Sequence, residues 1–543
     1  MELSVAIQAK VEVTPSNWNF GFQPTITREI WLMPFQSDMI GIRSGILMSG
    51  GGCEMGDQTA ADCIGRCSAQ TCPATFETAQ PCSGKTGTTP KGAAKTKARD
   101  MTKGPILRQL ILFALPLFFG NVFQQFYSTV DSVVVGNFVS ADALAAVTMT
   151  GSAVNTLVGL FMGMSTGASV VISHCFGRRD RAGLRKAVHT ALFATFLLGL
   201  FMMVVGVGIT PTLLRFMQTP ESIVPLASVY LRIYFLGIEG LMFYNMTSAI
   251  LRAVGDSKRP LLFLIITSLL NVVLDLLFVL YFQLGVAGVA CATILSQFVS
   301  AFLGLFVLSR STEDYGISFR EMRIDRCSLW KIIRIGLPAG MQMAIISFSN
   351  VFVQGYINSF GNASASGWGA YGRVDAFVIL PLQSIALGVT TFTGQNAGAG
   401  NVKRIKEGVR TSIRLAIVLT YAICIAEFIA APQIVALFNQ DPEVLRYGTL
   451  FIRCNCLFDG LCASNQIHAC VLRGIGQSKT PMIIMLFSFV IFRQIYLYVI
   501  SHTLNSVALI ALGYPAGWLV CSLIMAIYFR RSGWEKQIEA GRL

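Results

Sequence analysis

From Ile106 to Phe529 the chain alternates long apolar stretches with short polar breaks. Each stretch runs about 20 to 30 residues, enough at about 1.5 Å per residue to cross a hydrocarbon core about 30 Å thick. Twelve can be counted. Lipid offers no partners to backbone polar groups, so only helices or closed barrels span it, and barrel strands are short and alternating. The pattern predicts an all-α polytopic membrane protein of twelve transmembrane helices.

Composition agrees, since 53% hydrophobic and 13% charged residues exclude a soluble chain of 543 residues. The net charge of +14 suggests nucleic acid only until the basic residues are located. Arg178, Arg179, Arg181, Arg185 and Lys186 follow the second span, Arg252, Lys258 and Arg259 the fourth, and Arg310, Arg320, Arg323 and Arg326 the sixth. Lys403, Arg404 and Lys406 follow the eighth, Arg473 and Lys479 the tenth, and Arg530, Arg531 and Lys536 the twelfth. The intervening connections carry almost no Lys or Arg. These are topology signals, not a nucleic-acid surface, and they predict both ends of the bundle in the cytoplasm. With no signal peptide at Met1, the expectation is a multi-pass protein of a bacterial inner (cytoplasmic) membrane, in contact with lipid.

Residues 1–100 stand outside this pattern. They are rich in Gly, Ser, Thr and Pro, with Cys53, Cys63, Cys67, Cys72 and Cys82 irregularly spaced and no paired Cys-x2-Cys knuckle, so they predict a disordered extension and not a zinc module. At Met101, MTKGPILRQLILFALP opens as a polytopic protein would, and the expected native start is there. The cysteines within the spans read as small apolar fillers.

An internal repeat sets the architecture. ILRAVGDSKRPL (Ile250 to Leu261) returns as VLRGIGQSKTPM (Val471 to Met482), a shift of 221 residues. The same shift carries HCFGRRD, from His174, onto QNAGAGN, from Gln395, and LRKAV at Leu184 onto IKEGV at Ile405, while FALP at Phe113 returns one residue further along as IGLP at Ile335. Two six-span lobes are predicted, residues 105–315 and 327–535, joined by a basic linker. An even number of spans gives both lobes the same orientation, a parallel repeat around a central cleft.

Acidic residues inside spans are costly, and their company suggests their use. Gln124, Tyr127, Ser128 and Asp131 form a polar stripe at helical spacing, and Asn271 lies four residues before Asp275, on the same helix face. Such oxygens can strip water from Na⁺, or can hold a carboxyl ready to take up a proton. The repeat places Val353, Phe492 and Tyr496 where Asp131, Asn271 and Asp275 stand, so a cation site belongs to the first lobe alone. Glu239 and Asp459, mid-span without obvious partners, and Asp375, with Arg373 two residues away, are assigned to a substrate pathway, along with Arg493, which is placed to bind an anionic group or brace the cleft. Glu427, near the outer end of the ninth span, reads as an acid that reaches water or pairs with a basic neighbour.

LRAVGDSKRP with its copy LRGIGQSKTP, QNAGAGN, SLLNVVLDLLFVLYFQLGVAGVACATILSQ (Ser268 to Gln297) and AYGRVDAFVILP (Ala370 to Pro381) together resemble the multidrug and toxic compound extrusion (MATE) family, over the whole chain after about Gly104. Within it the chain looks like the DinF-like branch: Met341 to Tyr356 lacks the Glu expected of the NorM-type branch. The resemblance implies antiport, with Na⁺ or H⁺ running inward while small organic, often cationic, compounds or drugs leave the cytoplasm. It also implies that Tyr127, Asn271, Asp275 and Thr293 match a family Na⁺ site, with Asp131 beside them. No cofactor is expected beyond the coupling ion, and one chain is the expected working unit. A lipid-linked oligosaccharide flippase, the alternative from the wider superfamily, would line its cleft with several Arg and Lys; Arg373 and Arg493 are too few. An enzyme is not expected, since four histidines without His-x-x-x-His, and no Gly-x-Ser-x-Gly, supply no catalytic cluster.

Overall fold

The computed structural model describes residues 99–540; the expectations for the tail up to residue 98, including its five cysteines, lie outside the described residues. Six spans form the first half. These are α1 (Ile106–Phe138), α2 (Ala141–Arg178), α3 (Arg181–Phe216), a broken pair α4 (Val224–Leu236) and α5 (Ile238–Ala253), α6 (Lys258–Tyr281) and α7 (Gly285–Ser309). The second half repeats them as α8 (Arg326–Asn358), α9 (Asn362–Gly398), α10 (Val402–Ala436), the pair α11 (Pro442–Cys456) and α12 (Asp459–Gly474), α13 (Lys479–Thr503) and α14 (Val507–Arg531), followed by the short α15 (Trp534–Glu539).

Ten of these helices are long and apolar enough to cross a membrane, and α4 with α5, bent by 48° at their junction, makes an eleventh span. The α11–α12 pair is the copy of that bent span: α4 and α5 pack on α2 and α3, and α11 and α12 pack on α9 and α10. It falls short on apolarity alone because Arg446, Arg453, Asn455, Asp459 and His468 interrupt it. The predicted all-α architecture of twelve spans is therefore present as ten continuous helices and two broken ones.

The repeat extends to single backbone angles. Gly255 and Gly476, one repeat apart, both take positive φ (89° and 85°) just past α5 and α12. Gly400 (φ 72°) closes α9, whereas its counterpart closing α2 is Arg179 (φ 60°), a side chain in a conformation that favours glycine. Asp180 and Asp325 cap α3 and α8 by accepting from Gly183 N (2.8 Å) and Ser328 N (2.8 Å).

The halves are welded at the end that carries the basic connections. Gly163 and Gly167 of α2 face Gly336 and Gly340 of α8 so closely that a Cβ on any of them would strike the opposite backbone. Small residues four apart on both helices give lipid-embedded segments their closest backbone approach. Nearby, His174 Nε2 donates to Gly474 O (2.7 Å), Gln395 Nε2 to Ala253 O (2.9 Å) and Asn121 Nδ2 to Ser384 Oγ (3.1 Å). Residues just before α1 join in: buried Met101 donates its N–H to Gln395 Oε1 (2.8 Å), and its carbonyl accepts from Arg404 Nε (3.2 Å).

Toward the other end each half packs on itself. Val134 and Val135 of α1 join Val279, Val286 and Val289 in a core drawn only from the first half. Val353, Trp368, Tyr371, Phe451 and Leu497 form one drawn only from the second. The residues through which the halves share a core, Met101 to Leu117 on one side and Ile332 and Ile335 on the other, lie toward the basic end. The halves are thus sealed against each other at the basic end, while toward the opposite end each packs on itself.

Candidate cation site

On α1, the stripe predicted at Tyr127 and Asp131 turns toward α6, against which α1 packs. The Asp131 and Asp275 carboxyls come within direct interaction range of each other, and Tyr127 lies within range of both. Asp275 and Asn271 are fully buried, one helical turn apart. Asp131 Oδ1, both oxygens of Asp275 and both side-chain polar atoms of Asn271 are buried without satisfying hydrogen-bond geometry. Each such orphan costs about 1–3 kcal/mol, and two carboxyls side by side in a low-dielectric setting require a positive counterpart, either a proton or a cation. A constellation this under-bonded is built to receive something.

Thr293 of α7 is buried, but its hydroxyl donates back to Val289 O (3.0 Å), one turn earlier. Two residues that the sequence did not single out complete the walls. Tyr230 and Tyr234 of α4 stack with ring centroids 6.2 Å apart, and Tyr230 lies within electrostatic range of Asp131, Asp275 and Tyr127. Their four-residue spacing in YLRIYF was a readable stripe; what was missing was any sign that the broken span folds it against α1.

Of the substrate-pathway candidates, Asp375, Asp459 and Arg493 gather in the second half, where Asp375 lies within electrostatic range of Asp459 and Tyr514 links it to Arg493, while Glu239 stands apart in the first half. Glu239 sits in the first turn of α5, at the break, with its carboxyl against Gly199 of α3 and both oxygens unpaired. Asp459 opens α12 at the corresponding break and is buried, where it accepts from Cys424 Sγ (3.3 Å). Asp375 is half-buried on α9, and its sequence neighbour Arg373 lies over the Phe438 ring (5.5 Å). Arg493 is buried on α13 and spans to α8, donating to Ser349 Oγ (2.8 Å) and Asn350 Oδ1 (2.9 Å) while stacking over Tyr514 (4.6 Å). It braces two helices of its own lobe. Glu427 corrects its expectation: it is buried and accepts from Cys456 Sγ (3.7 Å), so it does not reach water at the helix end.

Comparison with known proteins gives this geometry its context. The MatE family model matches twice, at residues 116–277 and 338–499, once in each half. The probable multidrug resistance protein YpnP of Bacillus subtilis is 31% identical over 440 residues, covering 81% of this chain and 98% of that protein. The probable multidrug resistance protein NorM of Thermotoga maritima is 26% identical over 441 residues, covering 80% and 94%. Among solved structures, a multidrug resistance MATE family transporter of the MOP superfamily in an outward-facing conformation superposes with a TM-score of 0.76 at 24% identity, over 82% of this chain and 100% of that one. A MOP superfamily transporter from Pyrococcus furiosus, described as having a binding pocket of reversed polarity, gives 0.77 at 23% identity, over 82% and 100%. With one copy of the family's domain in each lobe and a relative aligned over nearly its whole length, the chain belongs to the MatE family of multi-pass membrane transporters and is not an enzyme.

Proposed function

We propose that this transporter is a cation-coupled antiporter that exports small organic, often cationic, compounds from the cytoplasm of a bacterium, with Na⁺ or H⁺ as the coupling ion. The observation that carries the reading is the under-bonded cluster in the first lobe, half-buried Asp131 against fully buried Asp275 and Asn271. The matched relatives named as multidrug resistance proteins support the export of drugs. The positive-inside pattern of the basic connections supports a cytoplasmic position for the sealed end, so that a cleft between the lobes opens outward, with both ends of the bundle inside and a single chain as the working unit.

Coupling follows from charge. A cation or proton arriving from outside removes one negative charge from the carboxyl pair, easing its repulsion, and lets α1 draw onto α6, shrinking the space a drug occupies in the first lobe. Pro116 sits inside α1 and leaves a carbonyl one turn earlier without its helical donor, so bending there is easier than elsewhere. Release of the ion inward restores the charge and the wider lobe. The Tyr127, Tyr230 and Tyr234 rings offer flat apolar walls suited to aromatic cations.

The test is uptake of a fluorescent cationic dye into inverted vesicles, driven separately by a Na⁺ gradient and by a pH gradient. Uptake under one or both gradients is expected. Equal accumulation with and without any gradient would remove the antiport reading.

A further inference from the structure

In the second half, away from the carboxyl pair, two short segments meet at the α11–α12 break. Cys424 and Glu427 lie three residues apart on one face of α10, and Cys456 and Asp459 stand on either side of the break. The hydrogen bonds cross the seam: Cys424 Sγ donates to Asp459 Oδ2 (3.3 Å), and Cys456 Sγ donates to Glu427 Oε2 (3.7 Å). Ligand atoms of Cys424, Cys456 and Asp459 all lie within 4.8 Å of one another. All four residues are buried, at 2%, 4%, 4% and 7% exposure for Cys424, Cys456, Asp459 and Glu427.

That spacing is the spacing of a coordination shell. A tetrahedron with ligands about 2.0–2.3 Å from its centre has edges of about 3.3–3.8 Å. The two sulfur–oxygen separations fall on those edges, and Glu427, in contact with Cys456 but outside the mutual 4.8 Å set, joins the shell by a turn of its side chain. We infer that Cys424, Cys456, Asp459 and Glu427 form a binding site for a thiophilic divalent cation of the Zn²⁺ or Cd²⁺ class, distinct from the hard-cation site of the first half.

Donor chemistry sets the selectivity. Two sulfurs favour a borderline or soft metal over Na⁺, Mg²⁺ or Ca²⁺, which take oxygen shells. On binding, both thiols ionise and their two protons leave to water; the two thiolates balance the dication, and the Asp459 and Glu427 oxygens fill the remaining corners. Half-buried Asp375, within electrostatic range of Asp459 and Glu427, gives an incoming cation an acidic step toward the buried site. Once bound, the metal ties α10 to the broken span.

The experiment titrates the purified full-length protein in detergent with Cd²⁺, following thiolate-to-metal charge-transfer absorption and, by equilibrium dialysis, the number of ions bound. Because the chain holds 14 cysteines, variants are compared and not absolute counts. Wild type should bind one tight equivalent more than Cys424→Ser/Cys456→Ser, and Cys291→Ser should match wild type. Asp459→Asn keeps both sulfurs, so its charge-transfer band should persist at an affinity lower by about tenfold or more. Equal Cd²⁺ binding by wild type and the double serine variant would overturn the site. Should the double variant fail to fold, Asp459→Asn decides alone, and unchanged affinity there would overturn it too.

Discussion

In the first half, α1 meets α6 through two carboxyls, Asp131 and Asp275; in the second, α8 meets α13 through the guanidinium of Arg493, which donates to Ser349 and Asn350. The helices are copies of each other, and so is the seam. Ser349 occupies the place of Tyr127, Val353 that of Asp131, Phe492 that of Asn271 and Tyr496 that of Asp275. Where the first seam leaves five polar atoms of Asp131, Asn271 and Asp275 outside hydrogen-bond geometry, the second leaves Arg493 Nε and otherwise pairs Arg493 and Gln494 with Ser349 and Asn350, and Val353 is fully buried. Ser349 Oγ also donates to Phe489 O (2.9 Å), a carbonyl within the π-helical turn Phe487–Phe492 that precedes Arg493. Duplication thus preserved the frame, while one lobe kept an unsatisfied seam and the other a braced one. An unsatisfied seam can change shape when an ion arrives; a braced seam holds its helices still for the other to work against.

The comparison breaks most sharply at its acidic side. Asp131→Asn and Asp275→Asn should insert and accumulate normally, because removing a charge from the membrane is favourable, yet lose gradient-driven efflux by about tenfold or more, the scale of a typical coupling energy. Normal efflux from either variant at normal abundance would take the pair out of the mechanism. Placing acids in the other seam, as Val353→Asp/Tyr496→Asp in the Asp131→Asn/Asp275→Asn background, should restore nothing, since Arg493 already occupies that seam. Restored efflux there would show that the two seams are interchangeable.

Next in size comes the weld on which both seams pivot. Gly163→Val or Gly340→Val forces a branched side chain into an opposing backbone and should cost about 1–3 kcal/mol of stability, read as a lower unfolding temperature of the detergent-solubilised protein. Because only the sealed end carries this contact, the same variants should expose Ile335, buried in a core shared by the halves, read as faster labelling of an introduced Ile335→Cys. Unchanged melting and labelling would mean that the halves are not held together there.

How much of this was legible follows the range of the interactions involved. Span count, repeat and the Asp131 and Asp275 stripes are local periodicities, and the sequence displays them directly. The glycines at 163, 167, 336 and 340 are also four apart, but that spacing becomes a seam only once α2 and α8 are known to touch. Cys424 and Cys456 read as apolar fillers because the acid that each thiol meets arrives from the facing helix. Glu427 was misplaced for the same reason: height along a span says nothing about which face is turned inward.

The smallest effect tests how far the site reaches beyond the residues that periodicity revealed. Tyr230 has Phe451 as its counterpart one repeat later, and Phe451 is fully buried in an aromatic cluster with Trp368 and Tyr447. The two rings are the same shape in the same place, so the hydroxyl is the whole difference, and it stands where the carboxyl pair is. Tyr230→Phe makes the first lobe resemble the second at this one atom. It keeps the packing, so the unfolding temperature should not change. If the hydroxyl helps hold the coupling ion or the charged pair, its loss removes roughly one hydrogen bond, about 1 kcal/mol, and should weaken ion dependence of efflux by about fivefold without altering the maximal rate. Phe451→Tyr is the companion measurement: it adds a hydroxyl to a seam with no acids and should leave ion dependence as it was. A Tyr230→Phe protein with wild-type ion dependence would restrict the site to α1 and α6, and the broken span would then serve only as its wall.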